Sequence, residues 1–145
     1  MEKHCREVIS RPTVKLMQKR RAYTTLMDGM SARGTPAEAA DLCCDVLSML
    51  GCTIPRRCLL PRIIAGVLNA KTVEKRDVTK AVAALPPMAD PHHLWAMSLL
   101  ESLFTYAYLS DQPNLLALGM IKSFQWTMKH GRCDDTSLAL AQIAM

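Results

Sequence analysis

Between residues 33 and 38 the chain reads Arg-Gly-Thr-Pro-Ala-Glu, and this string does most to restrict the folds open to it. Gly34 takes up the backbone conformation that ends a helix. Thr35 offers a cap to the next one, Pro36 sits where no N–H is needed, and Glu38 stands three residues past the cap, which predicts a capping box. Almost no residues remain for a loop. Two helices joined this closely must fold back on each other as an antiparallel hairpin. Asp90-Pro91 repeats the start signal, and Ser110-Asp111-Gln112-Pro113 reads as a turn running into a third helix start.

The apolar spacing agrees. From Thr13, the residues Leu16, Met17, Tyr23, Leu26, Met27 and Met30 fall three, four or seven apart, predicting an amphipathic helix to about Arg33. Its polar side carries Lys15, Lys19, Arg20 and Arg21, and Asp28-Gly29 predicts early fraying. The next helix places Ala39, Cys43, Val46, Leu47 and Leu50 on one face and stops at Gly51. A connector over 52–55 leads to a helix over 57–69 with Pro61 near its start, then a short helix over 78–85 that Pro86-Pro87 must end. Residues 91–109 are apolar around most of a helix, with Glu101 the one acid near the centre, which predicts a buried central helix. Helices over 113–130 and 137–145 complete the chain. Hydrophobic residues make up 50% of it, aromatic residues only 5%, and Met contributes 10 residues, a balance that favours helix over sheet. The expectation is an all-α protein of six to seven helices, solenoid-like at first and more compact around 94–109. Residues 1–12 are expected to form a basic flexible arm, and 13–145 the helical domain.

Function classes narrow next. No apolar run reaches the roughly 18–20 residues that cross a bilayer, and the mixed charge of the first residues shows no secretory signal. Of the six cysteines, Cys43 and Cys44 are adjacent, and most of the others (Cys5, Cys52, Cys58, Cys133) lie in or beside apolar segments. Reduced thiols in a cytoplasmic protein are the expectation. His92-His93 are neighbours on a helix, about 100° apart and poorly placed to share a metal, so they are expected at the surface. His4-Cys5 lies in the arm, where no nucleophile is preorganised, and no glycine belongs to a phosphate loop. Neither catalytic residue, cofactor nor metal ligand is expected; the chain does not read as an enzyme.

The charge is +5, with 18 Lys and Arg against 13 Asp and Glu. Residues 1–33 hold the entire excess: Lys3, Arg6, Arg11, Lys15, Lys19, Arg20, Arg21 and Arg33 against Glu2, Glu7 and Asp28. Such a block suits phosphate, lipid headgroups or an acidic protein face. A nucleic-acid reading is the alternative. It is disfavoured because Glu38, Asp41 and Asp45 lie on the outer side of the helix that would read the duplex.

With Gly34 as a turn glycine, Ala39 five residues later and Cys43 and Val46 beyond it, facing Tyr23, Leu26, Met27 and Met30, the hairpin resembles a degenerate tetratricopeptide unit. Met27 replaces the small residue of the first helix, and Gly51 the terminal proline. Further strings carry a wider resemblance: Leu-Gly-Cys-Thr-Ile-Pro (50–55), Ala-Leu-Pro-Pro-Met-Ala-Asp-Pro (84–91), Leu-Leu-x-x-Leu-Phe-x-x-Ala-Tyr (99–108) and Lys-His-Gly (129–131). Over residues 20–145 the chain resembles the all-helical, tetratricopeptide-like segment that follows the AAA-type ATPase module in large serine/threonine kinase and histidine kinase signalling proteins. The resemblance implies a non-catalytic scaffold or connector, a fragment or stand-alone relative, whose partners are a protein or neighbouring modules. The apolar end, Leu138, Leu140, Ile143 and Met145, together with an exposed Trp126, is expected to leave the chain marginal, to self-associate or to pair with a helical partner.

Overall fold

The computed structural model describes residues 1–55 and 80–134. Within them every regular element is helical, as the apolar spacing requires: α1 (Glu2–Ser10), a 3-10 turn (Leu16–Lys19), α2 (Arg20–Ala32), α3 (Pro36–Met49), α4 (Pro91–Leu109) and α5 (Pro113–His130). Residues 80–83 are also helical, so the segment before Pro86-Pro87 stops two residues short of the expected Leu85. The helices expected over 57–69 and 137–145 lie outside the described residues.

Each helix packs chiefly on its neighbour among these elements: α1 on α2, α2 on α3, α3 on α4 and α4 on α5. Their directions follow from specific contacts. Lys19 Nζ donates to the Ile9 carbonyl (2.6 Å), while Glu2 pairs with Arg33, so α1 runs against α2. Tyr23 lies near Trp95, with ring centroids 6.5 Å apart, and the Tyr106 hydroxyl donates to Asp28 Oδ1 (2.9 Å), so α4 runs parallel to α2. Between them, α3 buries Ala39, Ala40, Cys43, Val46 and Leu47 completely, and the Cys43 thiol donates to the Leu99 carbonyl (3.2 Å). Small side chains at 39, 40 and 43 let α3 approach both neighbours closely. The expected central helix is α4, which buries Trp95, Met97, Leu100 and Leu103 at 2% exposure or less. Where α5 crosses it, Gly119 presents no side chain to the Leu103 methyl.

Three joints share one geometry. At each, a residue of positive φ (Gly34, Gly51 or Asp111) lets the next N–H reach back to a carbonyl five residues earlier: Thr35 to Met30 (3.0 Å), Cys52 to Leu47 (2.8 Å) and Gln112 to Ala107 (2.9 Å). This pattern satisfies the last carbonyls of the helix. Thr35 departs from expectation here. Its hydroxyl donates to the Met30 carbonyl (3.0 Å) and caps no N–H of α3, so the capping box is not formed. In so tight a joint one residue serves the end of α2 and has no reach left for the start of α3.

The expected arm is instead a helix. Glu2 accepts from Arg6 (2.9 Å) one turn on and from Arg33 at the end of α2, and Cys5 is buried against the core. The helix expected from Thr13 starts later, as the 3-10 turn and then α2. Asp28-Gly29 does not fray α2: the tertiary bond from Tyr106 anchors Asp28, and the joint at Gly34 secures the end.

Candidate functional site

Two groups of side chains stand out as able to meet something other than the chain's own core. The first is the basic surface of α2. The sequence gathers the basic excess into residues 1–33, and the structure divides that block. Arg6 and Arg33 bond Glu2, Arg11 bonds Glu7 (2.9 Å), and Lys19 is held by the Ile9 carbonyl. Arg20 and Arg21 remain exposed. With Thr24 and Thr25 they line, among the described residues, an open cleft of about 480 Å³. Glu38, Asp41 and Asp45 are exposed on α3, as expected.

The second group lies where α4 begins and α5 ends. Asp90 accepts from the His92 backbone N–H (2.8 Å), and Pro91 occupies the first helical position, so the predicted start is formed. This places His92 outward and His93 toward α5. Residues equally far from the turn at Asp111 face each other across an antiparallel hairpin, and His93 therefore meets Trp126 and His130. The His93 ring lies 3.8 Å from that of His130 and meets Trp126 edge-on at 5.6 Å; Trp126 and His130 are 4.2 Å apart. Trp126 Nε1 donates to the His93 carbonyl (3.2 Å). Trp126 is thus buried, at 8% exposure, and does not present the apolar surface expected of it. The residues expected to join it, 138 to 145, lie outside the described residues. His93 also departs from the surface placement, since only His92 is exposed.

The electrostatics of this group are asymmetric. Hydrogen bonds from the His92 backbone and ring lower the Asp90 carboxyl below its ordinary value, with the backbone donor the larger cause. Asp90 also lies 3.9 Å from His93 Nδ1. Asp90 favours a proton on His130 as well, but it is the smallest of the influences there. The Nε2 of His130 is buried with no hydrogen-bond partner, and burial first, then His93 and Lys129, lowers its proton affinity. Two unit charges at about 4 Å repel by about 4 kcal/mol at a near-surface effective dielectric. The two rings are tilted by 37° to each other, and no three His, Cys, Asp or Glu side chains converge on a metal position among the described residues.

Other reactive groups are absorbed by packing. Cys5, Cys43, Cys44 and Cys52 are buried thiols, and burial raises Cys43 far above the ordinary thiol value, which keeps it a protonated donor. Tyr106 is likewise raised, by burial first and then by its bond to Asp28. No helix among the described residues is long and apolar enough to cross a membrane. No family model, curated protein or solved structure matches the chain.

Proposed function

We propose that this protein is a non-catalytic cytoplasmic scaffold built on tetratricopeptide-like hairpins, which receives an acidic protein segment on the Arg20–Arg21 face of α2. The observation that carries the reading is the order of packing. α2 and α4 run parallel with α3 between them, and the Tyr106–Asp28 bond joins the first and third helix across the second. That alternation of hairpin helices is how a helical array stacks one unit on the next. A relationship to connector segments of ATPase-containing signalling proteins accords with this arrangement and with the strings at 50–55, 84–91 and 99–108. Within the basic block, Arg20 and Arg21 are guanidiniums left in an open cleft, while Arg6, Arg11 and Arg33 are engaged by Glu2 and Glu7.

Fluorescence anisotropy on the whole chain tests the reading with a labelled glutamate-rich peptide, its glutamine counterpart and a duplex DNA. The acidic peptide binds, and the glutamine peptide does not. Arg20→Glu with Arg21→Glu weakens binding by about tenfold or more, because two exposed pairs are each worth roughly 0.2–1 kcal/mol and reversal adds repulsion. Acids at the start of α2 suit its dipole, so the variant folds. Tighter binding to DNA with a steep salt dependence favours the nucleic-acid alternative instead.

A further inference from the structure

We propose that His93 and His130 form a proton-operated latch that holds the end of α5 against the segment entering α4 at neutral pH and lets go when both rings are protonated. The latch has a mechanical part and a sensing part. The mechanical part is a short parallel pairing beside the rings: Met88 N–H donates to the Arg132 carbonyl (2.7 Å), and Arg132 N–H donates to the Pro86 carbonyl (3.0 Å). Gly131 makes it possible. Its φ of +105° is open to glycine, and any Cβ there would overlap the Pro86 carbonyl oxygen.

The sensing part lies immediately before that pairing in the chain. Around the rings stand Asp90, which also takes His92, on the α4 side, and Lys129 on α5; the Arg132 guanidinium is turned to the Ala83 carbonyl (3.4 Å). Among the described residues, Asp90 is the carboxylate that acts on both rings. His93 Nδ1 faces Asp90 at 3.9 Å. A proton on each ring would set two cations against each other at 3.8 Å, with Lys129 beside His130 and its Nε2 buried without a partner. Opening relieves all three. The open form therefore binds more protons than the closed form, and its population rises as pH falls from the ordinary histidine range through the lowered value of His130. Gly131 and Arg132 follow directly on His130, so ring separation and loss of the 86–88 pairing are one movement.

Amide hydrogen exchange on the whole chain, corrected at each pH for the exchange of an unstructured peptide, reads the latch at Met88 and Arg132. Between pH 7.5 and 5.0 their protection should fall at least tenfold, while Leu103 and Leu118 in the helix centres keep theirs. His130→Phe retains the ring stack without the proton, so protection at Met88 and Arg132 should become independent of pH. If the first variant does not fold, His93→Gln removes the repelling partner and should weaken the dependence, leaving only the part due to burial and Lys129. The proposal is overturned by unchanged protection at Met88 and Arg132 at pH 5.0. It is equally overturned by an equal fall at Leu103 and Leu118, or by a folded variant that keeps the wild-type dependence.

Discussion

Gly131 illustrates how much of this molecule rests on single positions. As a helix stop it is legible from its place after Lys129-His130, but a stop alone tolerates asparagine and other residues. The structure asks more of it. Its φ of +105° with ψ of 179° belongs to a region that residues with a Cβ avoid, and the Pro86 carbonyl occupies the space a Cβ would take. Gly131→Ala should destabilise the fold by about 2–4 kcal/mol, the sum of backbone strain and two lost hydrogen bonds. Urea denaturation measures it, and Gly34→Ala, with open space around its Cβ, provides the contrast of strain alone. Trp126 shows why such demands escape a one-dimensional reading. Its expected exposure fails because its ring packs on His93 and His130 and its Nε1 donates to the His93 carbonyl, 33 residues earlier. By contrast, the Asp90 cap was legible because every atom it uses lies within two residues.

At the scale of elements, helix ends were easier to read than helix starts. The joints at Gly34 and Gly51 follow from glycine chemistry, whereas the third uses Asp111 at φ 53°. An L-residue there costs roughly 1–2 kcal/mol, and glycine recovers that less about 0.4–1 kcal/mol of extra freedom when unfolded. Asp111→Gly should therefore raise stability by about 0.5–1 kcal/mol, seen as a higher urea midpoint with unchanged slope. A negative charge at the end of α4 adds to the gain from its removal. Helix α1 was missed for a related reason. Nine residues are too few to hold a helix alone, and an isolated reading of 1–12 rightly finds little local support. Its stability comes from Arg33, beyond the whole of α2, and from burial of Cys5. Such distant partners leave no trace in spacing.

Among the described helices, packing runs in chain order, so the outer ones should loosen before those between them. Glu2 governs one end. Bonds from Arg6 and then Arg33 lower its carboxyl below the ordinary value, so α1 docking is fully supported above that value. The support is lost as pH falls from the ordinary glutamate range through the lowered one. Glu2→Gln should abolish this acid sensitivity and expose Cys5 to thiol reagents already at pH 7, while the helix signal in circular dichroism changes by little more than α1 itself. Between α3 and α4 the chemistry is reversed. Cys43 lies at 0% exposure with its sulfur engaged by Leu99, across the seam between α3 and α4. A reagent can reach that sulfur only after the two helices part. The seam thus carries its own clock: the rate at which Cys43 is alkylated reports how often the centre of the stack comes apart, with no label added and no residue changed.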